Sequence, residues 1–396
     1  MSNPLEGKHV VLCVTGSIAN YKSVALASEL VQLGVLVDVI LTGAATRFVS
    51  SLTFKAITHR PVVESLWGSD SEIAMDHVAL AKKADVVLVA PATADVLAKL
   101  SWGFADDPLL ATVLATQAPV LVAPAMDANM WDAAVTKENV DRLRSRGVEF
   151  VGPLQGRLAS GLVGRGRMVE PQQLVGYLKM VLGRTGDLAG KKVVVTAGGT
   201  REAIDPVRFL SNHSSGKMGY AIAEAARDRG ASVSLVSTAN LPDPVGVDIL
   251  QVRSASEMQK AVVAQCKTAD VLLMAAAVSD WRPANKSEQK LKKGSTETWT
   301  LDMSRNSDIV AGMKNDLIKV AFAAETENVI ENAHSKLISK GVDMVVANDV
   351  TVEPNVFGSD NNSVTILEKD GTVTELGTSS KYDIGHSILD KIVPLI

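Results

Sequence analysis

"GKHVVLCVTGSIAN" at Gly7–Asn20 and "GKKVVVTAGGTREAID" at Gly190–Asp205 open alike: a Gly-Lys lead, a short β-branched run, then a glycine-containing turn. Such a run, closed by glycine and followed by helical spacing, reads as a strand that turns into a helix. After the first segment come further strand-length runs, "VLVDVIL", "DVVLVAPA", "PVLVAPAM" and "VEFVGP", separated by helical segments such as "SVALASELVQLG" and "VTKENVDRLRSRG". After the second come "ASVSLVS", "DILQV", "DVLLMAAA", "KVAFAAE" and "DMVVAND". Strands that are apolar throughout, with helices between them, imply parallel sheets covered on both faces. The expected fold is α/β: two doubly wound parallel-sheet (Rossmann-like) domains in tandem, with ligands beyond the carboxyl ends of the strands. "LGRTGDLAGKK" from Leu182 carries glycine and charge without apolar periodicity and reads as a linker, which places the domains at 1–185 and 186–396.

Composition narrows the function classes. The chain has 396 residues, 46% hydrophobic and 21% charged, with a net charge of -4, so it carries no basic footprint for nucleic acid or an anionic membrane surface. No apolar run reaches the ~18 residues of a membrane helix and no signal peptide is legible, so a cytoplasmic protein with small-molecule partners is expected. The two cysteines, Cys13 and Cys266, fall in different halves and read as buried thiols. No His/Cys/Asp/Glu cluster has metal-ligand spacing, no full G-x-G-x-x-G occurs, and no G-x-S-x-G is present.

The strand-ending turns carry the candidate chemistry. "TGSIANYK" at Thr15–Lys22 is either an anion-binding strand-to-helix turn or a plain helix cap. "APATADVLAKL" and "APAMDANMW" both end strands in Ala-Pro-Ala, small enough for a flat ring to approach the backbone. "GRLASGLVGRGRM", Gly156–Met168, reads as a mobile lid. "SNHSSGKMG", Ser211–Gly219, has hydroxyls, a glycine and a lysine before a helix, yet Ser211 and Met218 stand where a P-loop needs Gly and Ser or Thr. Ser254 and Glu257 have capping-box spacing. Near the end, "SVTILEKDGTVTEL" has the Asp-Gly turn of a hairpin.

In order, "TGSIANYK", "DHVALAKKADVVLVAPATAD", "PAM" and "ASGLVGRGRM" resemble the flavin mononucleotide-dependent cysteine decarboxylases. "TAGGTREAIDPVRFLSNHSSGKMG", "AAAVSDWRP", "KLKKG", "NSDIVAGM", "FAAETEN" and "ANDV" resemble bacterial phosphopantothenate–cysteine ligase. Together they are similar to the bifunctional coenzyme A biosynthesis proteins, and the resemblance covers nearly the whole chain. It implies that the second half joins 4'-phosphopantothenate to cysteine with CTP and Mg²⁺ through an acyl-cytidylate. Asn212, Arg208 and Ala276 then match substrate contacts, and Lys290 matches the lysine that neutralises the triphosphate. Ser214, Gly216, Asp280, Ser307, Asp308, Ile309, Val310, Phe322, Lys336 and Lys340 match nucleotide contacts. In the first half it implies FMN held by Gly16, Ser17, Thr42 and Thr93, with His77 as the active-site histidine. The product would be 4'-phosphopantetheine, and the assembly a homo-oligomer, a dodecamer of flavin trimers and ligase dimers.

Two residues depart from the family pattern. Pro-Ala-Met-Asn reads Pro-Ala-Met-Asp at Asp127, and Ala-Cys-Gly reads Ala-Ser-Gly at Ser160. The second removes the thiol that donates a proton in the reductive step. Asp127, its pKa raised by an anionic substrate and desolvation, is the expected replacement acid. The alternatives are an active ligase whose flavin half decarboxylates only oxidatively, or whose flavin half is a non-catalytic scaffold.

Overall fold

The computed structural model describes residues 3–67, 76–292, 298–313, 316–325, 327–349 and 358–396. The chain divides into two compact units, Asn3–Leu182 and Gly183–Ile396. In the first, strands β1 (His9–Val14), β2 (Leu36–Leu41), β3 (Val62–Val63), β4 (Val86–Ala92), β5 (Val120–Pro124) and β6 (Glu149–Phe150) form one parallel sheet. Their order is β3-β2-β1-β4-β5-β6, so the chain reverses its direction of travel between β1 and β4. A reversal of this kind opens a crevice at the carboxyl edge.

The continuous apolar runs follow from burial on both faces. Val10, Leu12 and Val14 of β1 enter one core with Leu88 and Leu121, while Val11 and Cys13 enter another with Val87 and Val122. Leu12, Leu88 and Leu121 are fully buried, and truncating such a leucine to alanine costs about 2–5 kcal/mol. Strands β7 (Leu154–Arg157) and β8 (Val163–Arg167) stand apart as an antiparallel hairpin.

The second unit opens with β9 (Lys192–Ala197), followed by a short hairpin of β10 (Arg201–Ala203) and β11 (Phe209–Ser211). Strands β12 (Ser232–Ser237), β13 (Asp248–Gln251) and β14 (Val271–Met274) come next, then a second hairpin of β15 (Trp281–Pro283) and β16 (Met303–Arg305). Strands β17 (Ile318–Glu325), β18 (Met344–Asp349), β19 (Asn361–Glu368) and β20 (Val373–Ser380) complete it. The main sheet runs β13-β12-β9-β14-β17-β18-β19-β20 and is parallel from β13 to β18. Strands β19 and β20 add an antiparallel edge, the hairpin legible in the Asp-Gly turn. The expected capping box is half formed: Ser254 Oγ accepts from Glu257 N at 3.2 Å as the helix cap, but Glu257 Oε2 accepts from Arg253 N at 2.8 Å, one residue before the cap.

The glycine-rich stretch after Leu182 is not a loose linker. Leu188 is fully buried in the second core, and Asp187 accepts from Arg229 Nε and Nη2 at 2.8 and 2.5 Å. A Cβ at Gly186 would stand 2.5 Å from Arg229 O, so this glycine permits a close backbone approach. Charge without apolar periodicity here reflects an ion-paired packing segment. Among the described residues, no helix is long and apolar enough to cross a membrane.

Candidate functional site

A cleft of about 1490 Å³ opens at the carboxyl edge of the second sheet. Its first wall is the Ser211–Gly219 loop. Gly216 sits at φ +83, where a Cβ would lie 2.6 Å from Ala239 Cβ, and a Cβ on Gly219 would lie 2.6 Å from Thr196 O. These contacts let the helix Lys217–Arg227 start hard against the end of β9. Gly216 is its N-cap and offers no side chain, so the helix start remains a site for an anion. Asn212 does not cap this helix: its Nδ2 donates to Ala277 O at 3.0 Å, tying the loop to the turn after β14.

The opposite wall comes from β17, the turn after β16 and the helix Val329–Lys340. Lys340 Nζ stands 3.2 Å from Asp308 Oδ2. Burial raises the Asp308 pKa, but the Lys340 ammonium and the N–H groups of Ala311 and Val310 outweigh it and hold the carboxyl below its usual range. Lys336 Nζ donates to Phe322 O at 2.6 Å. The cleft thus gathers Asn212, Ser214, Gly216, Ala276, Asp280, Ser307–Val310, Phe322, Lys336 and Lys340.

Arg208 and Lys290 are not among its lining residues. Arg208 is engaged elsewhere: its Nε and Nη2 donate to Asp205 Oδ2 at 3.0 and 2.5 Å, and it lies over the Trp299 ring. The Arg208 guanidinium, with the N–H groups of Val207, Arg208 and Leu291, holds Asp205 well below the usual carboxylate range. Leu291 N donates to the same carboxylate at 3.2 Å, so Asp205 anchors the segment that carries Lys290.

In the first unit the candidate turns meet at the ends of β1, β2 and β4. Thr15 Oγ1 donates to Pro91 O at 2.7 Å and accepts from Thr93 N at 3.2 Å, joining the first turn to "APATAD". Thr93 caps the helix Ala94–Trp102, Ser17 Oγ accepts from Ala19 N, and Thr42 Oγ1 accepts from Ala45 N. Gly16 has no room for a side chain, since a Cβ there would lie 2.5 Å from Ala44 Cβ. His77 lies half-buried in the first turn of the helix Asp76–Lys83, which packs on β1 and on the helix Pro108–Ala115.

Asp127 and Ser160, distant in sequence, are in contact. Ser160 Oγ donates to Asp127 Oδ2 at 2.6 Å, and Asp127 Oδ1 accepts from Asn129 N at 3.0 Å. The presumed lid is a docked hairpin: Met126 N donates to Gly166 O at 3.0 Å, and a Cβ on Gly164 would lie 2.6 Å from Ala128 Cβ. Ser160 sits in its connecting turn. The Ser160 hydroxyl first, and then the Asn129 N–H, hold the exposed carboxyl below its usual value.

Comparison with known proteins accounts for both units. Residues 1–183 match the family model described as Flavoprotein, and residues 188–395 match the DNA/pantothenate metabolism flavoprotein C-terminal domain. The chain is 44% identical over 398 aligned residues to the coenzyme A biosynthesis bifunctional protein CoaBC of Vibrio parahaemolyticus, covering 99% of each chain. It is also 44% identical to the CoaBC protein of Bacillus subtilis, covering 99% of this chain and 98% of that one. The chain belongs to the coenzyme A biosynthesis bifunctional protein family. A crystal structure of the C-terminal domain of a CoaBC protein is 41% identical, covering 53% of this chain and 97% of that one with a TM-score of 0.46.

In this CoaBC-family chain, sequence reasoning missed several polar residues. Asn362 and Lys381 also line the cleft, and Asn20 is buried beside the first turn with Nδ2 and Oδ1 unpartnered. One signal was available: Lys217 and Lys381 are cations in the first turn of a helix, where the dipole disfavours them.

Proposed function

We propose that residues 186–396 form a CTP-dependent phosphopantothenate–cysteine ligase domain and residues 1–185 an FMN-dependent phosphopantothenoylcysteine decarboxylase domain, acting in the cytoplasm as a homo-oligomer. The observation that carries the ligase reading is the cleft, which gathers residues from segments far apart in sequence around a helix start. The pantothenate carboxylate attacks the α-phosphorus of CTP, pyrophosphate leaves, and an acyl-cytidylate forms. The cysteine amine then attacks its carbonyl carbon and CMP leaves. Asn212 holds the carboxylate in line, and the Ser214–Lys217 backbone receives phosphate oxygens. Asp280, Phe322, Lys336, Lys340 and the Ser307–Val310 turn surround the nucleotide. Arg208 and Ala276 contact the acyl group, and Lys290 neutralises charge that builds on the triphosphate. Mg²⁺ enters with the nucleotide, held mainly by phosphate oxygens; the described residues offer no cluster of three or more His, Cys, Asp or Glu to hold it.

The first unit fits a phosphate-bearing planar cofactor. Asn20, 2% exposed, presents unpartnered polar atoms at the start of a helix, and Gly16 keeps the adjoining turn tight. FMN there would supply two-electron oxidation of the substrate thiol to a thioaldehyde, whose C=S accepts the electron pair as CO₂ departs, and would return the same two electrons as hydride to the resulting enethiol. Gly16, Ser17, Thr42 and Thr93 hold the cofactor, and His77 faces the reacting cysteine moiety. Asp127 and Ser160 pass the final proton to the enethiol, with Ser160 Oγ as the atom between carboxyl and substrate. A substrate carboxylate beside Asp127, with water excluded, works against the Ser160 and Asn129 hydrogen bonds and raises its pKa.

Oxygen transfer tests the ligase chemistry. With ¹⁸O in the pantothenate carboxylate, an acyl-cytidylate leaves one label in CMP, whereas label in inorganic phosphate would overturn the reading.

A further inference from the structure

We propose that Lys381, Asn362 and Lys217 form a phosphate-dianion subsite within the ligase cleft. The proposal deepens the ligase reading and rests on it. Strand β20 is antiparallel to β19, and β19 to β18, so β20 ends at the same edge as the parallel strands. The helix Lys381–Ile392 after β20 and the helix Lys217–Arg227 after β9 therefore both begin at the cleft, and each carries a lysine in its first turn. Both ammonium groups reach one turn: Lys217 Nζ donates to Gly358 O at 2.8 Å and lies 2.7 Å from Asp360 Oδ1, and Lys381 Nζ donates to Ser359 O at 2.5 Å.

This arrangement is electrostatically unfavourable in isolation. Cations at helix starts oppose the macrodipole, and Lys381 is 95% buried, a cost few lysines bear. Burial and the Lys217 charge push Lys381 down to about 8, with Asp360 pulling the other way. The Asp360 side chain is 89% exposed, so it screens the pair poorly.

Asn362 is the independent observation. It is 4% exposed, lines the cleft, and its Nδ2 has no acceptor. A register shift between Asn362 and Val364 marks a β-bulge, a device that re-aims side chains at sites. A buried donor left without an acceptor is destabilising, and a ligand oxygen would satisfy it. Two ammonium groups, an amide N–H and an uncapped helix start are all donors, which is the lining a phosphate dianion requires. Its source is either the outer phosphates of the nucleotide or the 4'-phosphate of the second substrate.

Titration of the full chain with inorganic pyrophosphate decides the matter, using wild type, Lys381→Met and Asn362→Asp. The expected result is at least tenfold weaker pyrophosphate binding in each variant. A matching rise in KM for CTP, with CMP inhibition unchanged, assigns the subsite to the outer phosphates; a rise for phosphopantothenate instead assigns it to the 4'-phosphate. Pyrophosphate affinity and both KM values within twofold of wild type, in variants that melt cooperatively, would overturn the subsite. Should Lys381→Met not fold, Asn362→Asp alone decides. If wild type turned over no CTP, the ligase reading would fall, while the pyrophosphate titration would still judge the subsite.

Discussion

Both units place a strand-to-helix turn at the carboxyl edge of the central strand, β1 or β9, and both turns suit an anion; they differ in what they do with lysine. In the first, Lys22 lies in the opening helix but is turned inward, donating to Met168 O at 2.7 Å and Glu170 Oε1 at 2.9 Å. Its charge is neutralised inside the protein, and the turn offers hydroxyls, backbone and the Asn20 amide but no cation. In the second, Lys217 and Lys381 both line the cleft, and their carboxylate partner Asp360 is largely in solvent. The difference matches the ligands proposed: one phosphate monoester on a flavin in the first, a triphosphate and a second phosphate ester in the second. A shared topology supplies the location, and charge balance sets how much anion it receives.

The largest expected effect lies in the first unit, whose turn keeps its lysine inside the protein. Asp127→Asn keeps a helix cap of equal quality, so the melting temperature should hardly change. The final proton transfer should nevertheless fail, and the enethiol, two hydrogens lighter than the thiol, should accumulate in the mass spectrum. Unchanged yield of the thiol would remove Asp127 as the acid. Next comes Lys290→Gln, which should slow CTP-dependent pyrophosphate release by about 10² to 10³ if Lys290 meets developing charge as other electrostatic stabilisers do. Full activity would show that the cleft lysines suffice without it.

The smallest effect concerns Asp205, which positions the Lys290 segment. Its folded pKa lies below its unfolded value near 3.9, so its contribution is fully present above that value and is lost as pH falls towards the folded one. The Tm gap between wild type and Asp205→Asn should therefore be constant from about pH 6 to 8 and shrink below about pH 4. A gap that ignores pH would mean that the Asp205–Arg208 pair contributes nothing to stability.

The legible part of the fold was the part governed by period and punctuation. Runs such as "VVLVAPA" and "KVVVTA" are apolar at every position because alternate residues enter different cores, and both sheets followed from that. The Asp-Gly hairpin and the Ser254 cap were equally local. What stayed hidden depends on contacts between residues distant in sequence. Leu188 and Asp187 sit in a segment that looks like a linker until Arg229 is brought to it. Ser160 and Asp127 form one hydrogen-bonded pair only once the hairpin docks on the Met126 turn. Asn362 is an ordinary strand asparagine in sequence, and only the bulge and the missing acceptor mark it out.

The central claim is that one chain performs both reactions in succession. Purified protein supplied with 4'-phosphopantothenate, cysteine, CTP and Mg²⁺ is followed by mass spectrometry. The account predicts transient 4'-phosphopantothenoylcysteine, then its replacement by 4'-phosphopantetheine with one CO₂ lost and no net change in hydrogen beyond that loss. Persistence of 4'-phosphopantothenoylcysteine as the end product, or no cysteine adduct at all, would contradict it.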